Sequence, residues 1–233
     1  MTLLNARKLV GGYNGMTILS DCSVQVAAGE VVVMVGPNGA GKSTVMKAIL
    51  GMINLTSGSV IFKGEDVTSL PPQSRVVRGM AMVPQNHNVF TSLNIEENLQ
   101  MGAYLRKDDY SASLEQVFGL FPVLKEKRTQ VAGELSGGQR QQLAVGRALM
   151  TQPDLLMLDE PTAGVSPIIM NEIFDQVLRI RDQGIGILIV EQNARQALSI
   201  ADVGYVLVNG KNRHTAKGSE LLNNPDVRQS FLG

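Results

Sequence analysis

The sequence predicts an α/β protein: a core with a parallel sheet, an antiparallel β segment and an inserted α-helical subdomain. Three observations carry this. The runs "VVVMV" (Val31–Val35) and "LLML" (Leu155–Leu158) are apolar at every position, the pattern of strands covered on both faces. Between them, residues 87–150 show helical spacing and no clear strand. Two stretches read as hairpins: "VGYVLVNGKNRHTAKG", turning at Asn209-Gly210, and "GSVIFKGEDV", turning at Gly64-Glu65. The expected organisation is a single domain over 1–233, with a core from 1–86 and 151–233 and a helical subdomain from 87–150; 233 residues suit one such unit.

The elements follow in order. "EVVVMVG" is a buried strand feeding a glycine-rich loop, and "KSTVMKAILGM" continues as a helix ending near Gly51. "GMAMVPQ" is a strand broken at Pro84. "NIEENLQMGAYL", "SASLEQVFGLF" and "GGQRQQLAVGRALM" are the inserted helices. "PDLLMLDE" is a buried strand ending in two acids. "PIIMNEIFDQVLRIRDQG" is an amphipathic helix with Ile169, Ile173, Val177 and Ile180 on one face and Gly184 at C′. "GIGILIVEQ" is a strand, "NARQALSIAD" a helix, and the tail a short helix.

Composition excludes several classes. Acidic and basic side chains balance at 21 each, and aromatic residues make up 4%, so neither charge nor stacking surface suits nucleic acid. The single cysteine, Cys22, cannot form an intrachain disulfide and reads as a buried apolar thiol in a reducing compartment. "MTLLNARKLV" lacks the apolar stretch of a signal peptide, and the longest apolar runs are too short to cross a bilayer. A cytoplasmic protein recruited to the inner face of the membrane by other subunits is expected. His87 and His214 fall in surface segments, and Arg75, Arg78, Arg106, Lys107, Lys125, Lys127 and Arg128 read as solvated faces.

Chemistry concentrates in two places. Gly36-Pro37-Asn38-Gly39-Ala40-Gly41-Lys42-Ser43, followed by Thr44, fits the phosphate-binding pattern G-x-x-x-x-G-K-[ST] in its proper strand–loop–helix context, which makes the core a P-loop NTPase core. Glycines let successive N–H groups turn toward phosphate oxygens; Lys42 reaches the β- and γ-phosphates and Ser43 is placed to ligate Mg²⁺. Asp159-Glu160 ends the second buried strand, at the carboxyl edge of the sheet beside this loop. Asp159 suits Mg²⁺, and Glu160 suits polarisation of the attacking water. A second segment, Leu135-Ser136-Gly137-Gly138-Gln139, opens a helix that Ser136 is fit to cap. It has no lysine and no metal-ligating hydroxyl pattern, so it can grip an anion without forming a hydrolytic site.

"GPNGAGKST", "LSGGQ" and "LLMLDEP", in that order, resemble the ATP-binding cassette (ABC) ATPases over essentially the whole chain. The resemblance implies a head-to-tail pair of cassettes with each ATP between one chain's P-loop and the other's LSGGQ segment. Ser136, Gly137, Gly138 and Gln139 would then act in trans on the partner's nucleotide. It also implies adenine stacking by Tyr13, sensing of Mg²⁺ and water by Gln85, Mg²⁺ binding by Asp159 and base catalysis by Glu160. Two positions depart from the family: Ser166 stands where many members have aspartate, and Gln192 where most have a histidine on the γ-phosphate. A glutamine hydrogen-bonds but carries no proton or charge.

"VEQNARQAL", "ADVGYVLVNG" and the terminal "FLG" are similar to ATPase subunits of branched-chain (hydrophobic) amino acid uptake transporters of the LivF type. That resemblance implies pairing with a different, LivG-like cassette (or a homodimer in isolation), two transmembrane permease subunits and, indirectly, a periplasmic solute-binding protein. The imported solute would be leucine, isoleucine or valine; urea or short amides are the alternative, since related importers use similar subunits. A low-turnover regulatory cassette is the second alternative, suggested by Ser166 and Gln192 and opposed by Glu160.

Overall fold

The computed structural model describes residues 2–86 and 88–229. His87 and the terminal Phe231-Leu232-Gly233 lie outside them. The chain opens with two long antiparallel strands, β1 (Thr2–Tyr13) and β2 (Met16–Ala27), joined at Asn14-Gly15 with φ of 49° and 79°. This is the left-handed pair that a two-residue hairpin requires. The strands β3 (Val31–Val35), β4 (Leu55–Phe62), β5 (Glu65–Asp66) and β6 (Met80–Val83) follow, with the helices α1 (Lys42–Leu50) and α2 (Pro72–Val77) between them. Four helices come next: α3 (Ile95–Gly102), α4 (Ser111–Leu120), α5 (Pro122–Glu126) and α6 (Gly137–Leu149). The chain then forms β7 (Leu155–Asp159), α7 (Pro167–Arg181), β8 (Gly186–Glu191), α8 (Ala194–Ser199), β9 (Val203–Val208), β10 (Lys211–Ala216) and two terminal turns of helix, α9 (Gly218–Asn223) and α10 (Pro225–Val227).

Two sheets result. One is antiparallel, ordered β2-β1-β4-β5; the other is ordered β10-β9-β3-β8-β7-β6 and is parallel except for β10. The continuous apolar run of β3 now has its reason. Val31, Val33 and Val35 join the core beneath α6, α7 and α8, while Val32 and Met34 join a second core with α1 and the antiparallel sheet. Every residue of β3, β7 and β8 is buried. Among the described residues, no helix is long and apolar enough to cross a membrane.

Several expectations need correction. The hairpin expected to turn at Gly64-Glu65 turns at Lys63-Gly64, with φ of 51° and 80°, so Phe62 pairs with Glu65 and the turn sits one residue earlier than the glycine signal suggested. On α7 the buried stripe is Met170, Ile173, Phe174, Val177 and Ile180; Ile169 is only half-buried. Gly184 has the expected positive φ of 88°, but the helix cap is Asp182, which puts Gly184 one place beyond C′. Arg75 is not solvated: it is 2% exposed, and its guanidinium donates to four main-chain carbonyls. Arg106 is also largely covered, donating to Ser113 Oγ and the Met150 carbonyl while pairing with Asp108. His214 is half-buried on β10.

Cys22 is fully buried, as expected, and burial, helped by the Asp21 charge, pushes its thiol from 9.0 to about 12. A folded thiol at about 12 offers about 10³-fold less thiolate at pH 8 than one at 9.0. Alkylation by iodoacetamide at pH 8 is therefore expected to be negligible in the folded chain and to proceed on unfolding in urea. Equal labelling rates in both states would show that the thiol is not enclosed.

Candidate active site

The phosphate loop is built where β3 runs out. The chain leaves the sheet at Gly36, where a Cβ would collide with the Leu207 carbonyl oxygen of the neighbouring β9. Gly41, with φ 98°, opens α1 without a side-chain cap, so no side chain occupies the amides of the first turn. Pro37, Asn38 and Gly39 are exposed at the rim, whereas Ala40 and Thr44 are buried below it. Lys42 is 5% exposed, and its ammonium donates to the carbonyls of Gly36 (2.9 Å) and Pro37 (3.2 Å), so it folds back over its own loop. Burial lowers its pKa, and the charges of Glu160, Asp159 and Glu191 oppose that.

The acids arrive from β7, which is separated from β3 by β8 alone. The Ser43 hydroxyl donates to Asp159 Oδ1 at 2.7 Å, joining the first turn of α1 to the end of β7 across a sequence distance of 116. Hydroxyl and carboxylate oxygens converging in this way are hard ligands suited to Mg²⁺. Glu160 has φ 48°, uncommon for a residue with a side chain, and its N–H donates to the Val190 carbonyl at 2.8 Å. Gln85, two residues past β6, donates from Nε2 to Glu160 Oε2 at 2.8 Å. Gln192 is exposed directly after β8, at the same sheet edge. Tyr13 ends β1 as a 39% exposed ring with the Lys47 ammonium 5.8 Å from its centroid.

The second anion-binding segment is a capping box. Ser136 Oγ accepts from the Gln139 N–H and Gln139 Oε1 accepts from the Ser136 N–H, each at 3.2 Å. Ser136 and Gly137 face solvent. Gly138 sits close to α7: a Cβ there would come within 2.8 Å of Ile169 Cγ2. Ser166 caps α7, its Oγ accepting from the Ile169 N–H at 3.4 Å. A polar cavity of about 360 Å³, lined by Gln85, Gly137, Arg140, Glu160 and Gly164, separates this chain's own LSGGQ helix from its acids.

Glu191 was not singled out by sequence. It is 2% exposed at the end of β8, where Oε1 accepts from the Thr162 N–H (3.0 Å) and hydroxyl (2.7 Å), and Oε2 accepts from the Gln192 N–H (3.1 Å). Burial raises its pKa, with the Thr162 hydroxyl bond the largest opposing influence. The available signal was an acid closing an otherwise apolar strand, the feature that drew attention to Asp159.

A glycine-built phosphate loop facing strand-end acids is the arrangement of P-loop nucleoside triphosphatases, and a capped Ser-Gly-Gly helix start within an inserted run of helices narrows the class to ATP-binding cassettes. The family model described as ABC transporter matches residues 19–163, and the chain belongs to that family of ATPases. It is 44% identical over 232 residues to the high-affinity branched-chain amino acid transport ATP-binding protein BraG of Pseudomonas aeruginosa, covering 99% of this chain and 100% of that one. It is 40% identical over 233 residues to the probable branched-chain amino acid transport ATP-binding protein LivF of Archaeoglobus fulgidus, covering 99% of each. The crystal structure of a nucleotide-free ATP-binding cassette from an ABC transporter superposes with a TM-score of 0.89 at 29% identity, covering 100% of both chains.

Proposed function

We propose that this chain is the ATP-hydrolysing subunit of an importer for branched-chain amino acids, held on the inner face of the membrane by permease subunits. The observation that carries the solute assignment is similarity along nearly the full chain to two proteins named for that transport, one bacterial and one archaeal. The Glu191-Gln192-Asn193 sequence in place of a histidine supports it.

The residues divide the work as follows. Gly36 to Thr44 bind the ATP phosphates, Lys42 leaving its loop carbonyls for the β- and γ-phosphates. Tyr13 offers its open ring to adenine. Ser43, Asp159 and Gln85 are the residues that would hold Mg²⁺, which neutralises charge on the phosphates when bound. Glu160 orients and polarises the attacking water, and Gln85, hydrogen-bonded to it, reports its position toward the inserted helices. Gln192 hydrogen-bonds the γ-phosphate. Ser136, Gly137, Gly138 and Gln139 serve the nucleotide of a second cassette; Ser136 and Gly137 face outward, and the 72% exposed Ile168 beside the Ser166 cap supports an interface on this face. The core (1–86 and 151–233) and the helical subdomain (87–150) move against each other when ATP closes the pair.

The permease is supported by an apolar groove of about 450 Å³ between β6 and the helices α3 and α6. Phe90, Met101, Tyr104 and Leu105 line it and are 45%, 45%, 78% and 54% exposed, a patch suited to an apolar partner helix. The groove adjoins the segment that carries Gln85, so a partner seated there feels the nucleotide site.

Cells that lack this subunit are expected to lose ATP-driven uptake of labelled leucine, isoleucine and valine, and to regain it with the wild-type chain. Unchanged uptake of all three, with loss of urea or short-amide uptake, would overturn the solute assignment.

A further inference from the structure

We propose that Glu191 is a positioning residue for ATP hydrolysis, tying the loop that follows Glu160 to the backbone that carries Gln192. This rests on the reading of Glu160 as the base. The carboxylate bridges two strand ends: Oε1 takes both donors of Thr162, two residues beyond Glu160, and Oε2 takes the amide of Gln192. Thr162 is itself only 4% exposed, so the contact is enclosed on both sides. Glu160 is thereby held twice to β8, through its own N–H on the Val190 carbonyl and through Thr162 on Glu191.

The chemistry of the linking group matters. An ionised carboxylate only accepts, so it satisfies two amides and a hydroxyl at once; a carboxamide must present one NH₂ end to donors that need an acceptor. Burying an acid is costly, and its oxygens here bond amides and a hydroxyl rather than a cation. Glu160 also sits at φ 48°, a backbone state that persists only where its surroundings over-determine it. Glu191 supplies that constraint, and through the Gln192 amide it fixes the two water- and phosphate-facing side chains relative to each other.

The test measures kcat, KM and equilibrium ATP affinity of the full-length chain for the wild type, Glu160→Gln, Glu191→Gln, Thr162→Val and the Glu191→Gln/Thr162→Val double variant, with thermal unfolding of each. Misplacement by a fraction of an ångström to an ångström should lower kcat about tenfold to a hundredfold in Glu191→Gln and Thr162→Val, with KM and ATP affinity within about twofold. The double variant should be no slower than the slower single one, because both break the same contact. If Glu160→Gln abolishes turnover while Glu191→Gln and Thr162→Val keep kcat within about twofold, the positioning role is wrong and the base assignment stands. A kcat loss that merely tracks the fraction of unfolded chain also overturns it. Unchanged turnover in Glu160→Gln removes the base assignment and this inference with it.

Discussion

Glu160→Gln is expected to lower ATP turnover by about 10²- to 10⁴-fold while leaving ATP affinity within about twofold. The substitution keeps the length and shape of the side chain and removes its charge. The carboxylate is positioned by β7, by the main-chain bond to Val190 and by the amide of Gln85, none of which depends on that charge for its place in the fold. What disappears is the group able to take or polarise a proton of water. Binding rests elsewhere, on the amides of the Gly36–Ser43 loop and on Lys42, whose ammonium is hydrogen-bonded to that loop and not to Glu160. The contrast is Lys42→Ala, which should weaken ATP binding first and turnover as a consequence. Steady-state hydrolysis and titration calorimetry on both variants separate the two losses. Turnover within about twofold of wild type in Glu160→Gln would mean that another group activates water, and would revive the low-turnover reading prompted by Ser166 and Gln192.

What the sequence made legible was local chemistry. The P-loop, the Asp159-Glu160 strand end and the Ser136 cap each announce themselves within ten residues, because glycine freedom, strand termination and N-capping are near-neighbour effects. The Asn209-Gly210 turn was legible for the same reason, and its φ angles of 49° and 73° follow. Asn14-Gly15 carries the same signal, with φ angles of 49° and 79°. The Lys63-Gly64 turn was displaced because lysine is not a usual left-handed residue; here its ammonium pairs with Asp154, on the approach to β7. Glu191 was illegible for a different reason: its meaning comes from Thr162, 29 residues away and brought near only by the pairing of β7 with β8. The in-trans role of Ser136 to Gln139 is one step further removed, since its completing surface belongs to another chain.

Arg75 shows how far a nonlocal contact can reverse a sequence reading, and Arg75→Met is expected to destabilise the chain by about 3–5 kcal/mol, the sum of a few carbonyls each losing a donor at about 1–3 kcal/mol and partly relieved by water. The guanidinium lies inside the fold because α1 ends with unpaired carbonyls. Nη1 donates to Ala48 (3.1 Å) and Ile49 (2.6 Å), Nε to Leu70 (2.9 Å) and Nη2 to Thr68 (2.7 Å). It thus caps the C-terminus of α1 from α2, where a cation also opposes the helix dipole. Gly51 makes room: it takes φ 79° as the C-cap of α1, and a Cβ there would come within 2.8 Å of Arg75 Cζ. Methionine fills much of the stem's volume and takes the side-chain donor from the carbonyls of Ile49, Thr68 and Leu70, while Ala48 keeps the Gly51 N–H; each carbonyl left unsatisfied costs about 1–3 kcal/mol if unrelieved by water. For a chain of this size the loss corresponds to about 10 °C in the unfolding midpoint. Arg75→Lys should recover only a minor part, because a single ammonium cannot reproduce a planar fork aimed at carbonyls from two segments, the end of α1 and the loop before α2. Far-ultraviolet circular dichroism melts without nucleotide are the appropriate measurement, since ATP would stabilise the folded state by mass action and mask the difference. An unchanged midpoint in Arg75→Met would show that the carbonyls find other donors. A large drop would show that the helix presenting Lys42 and Ser43 to phosphate is held at its far end by an arginine that sequence reading had placed in water.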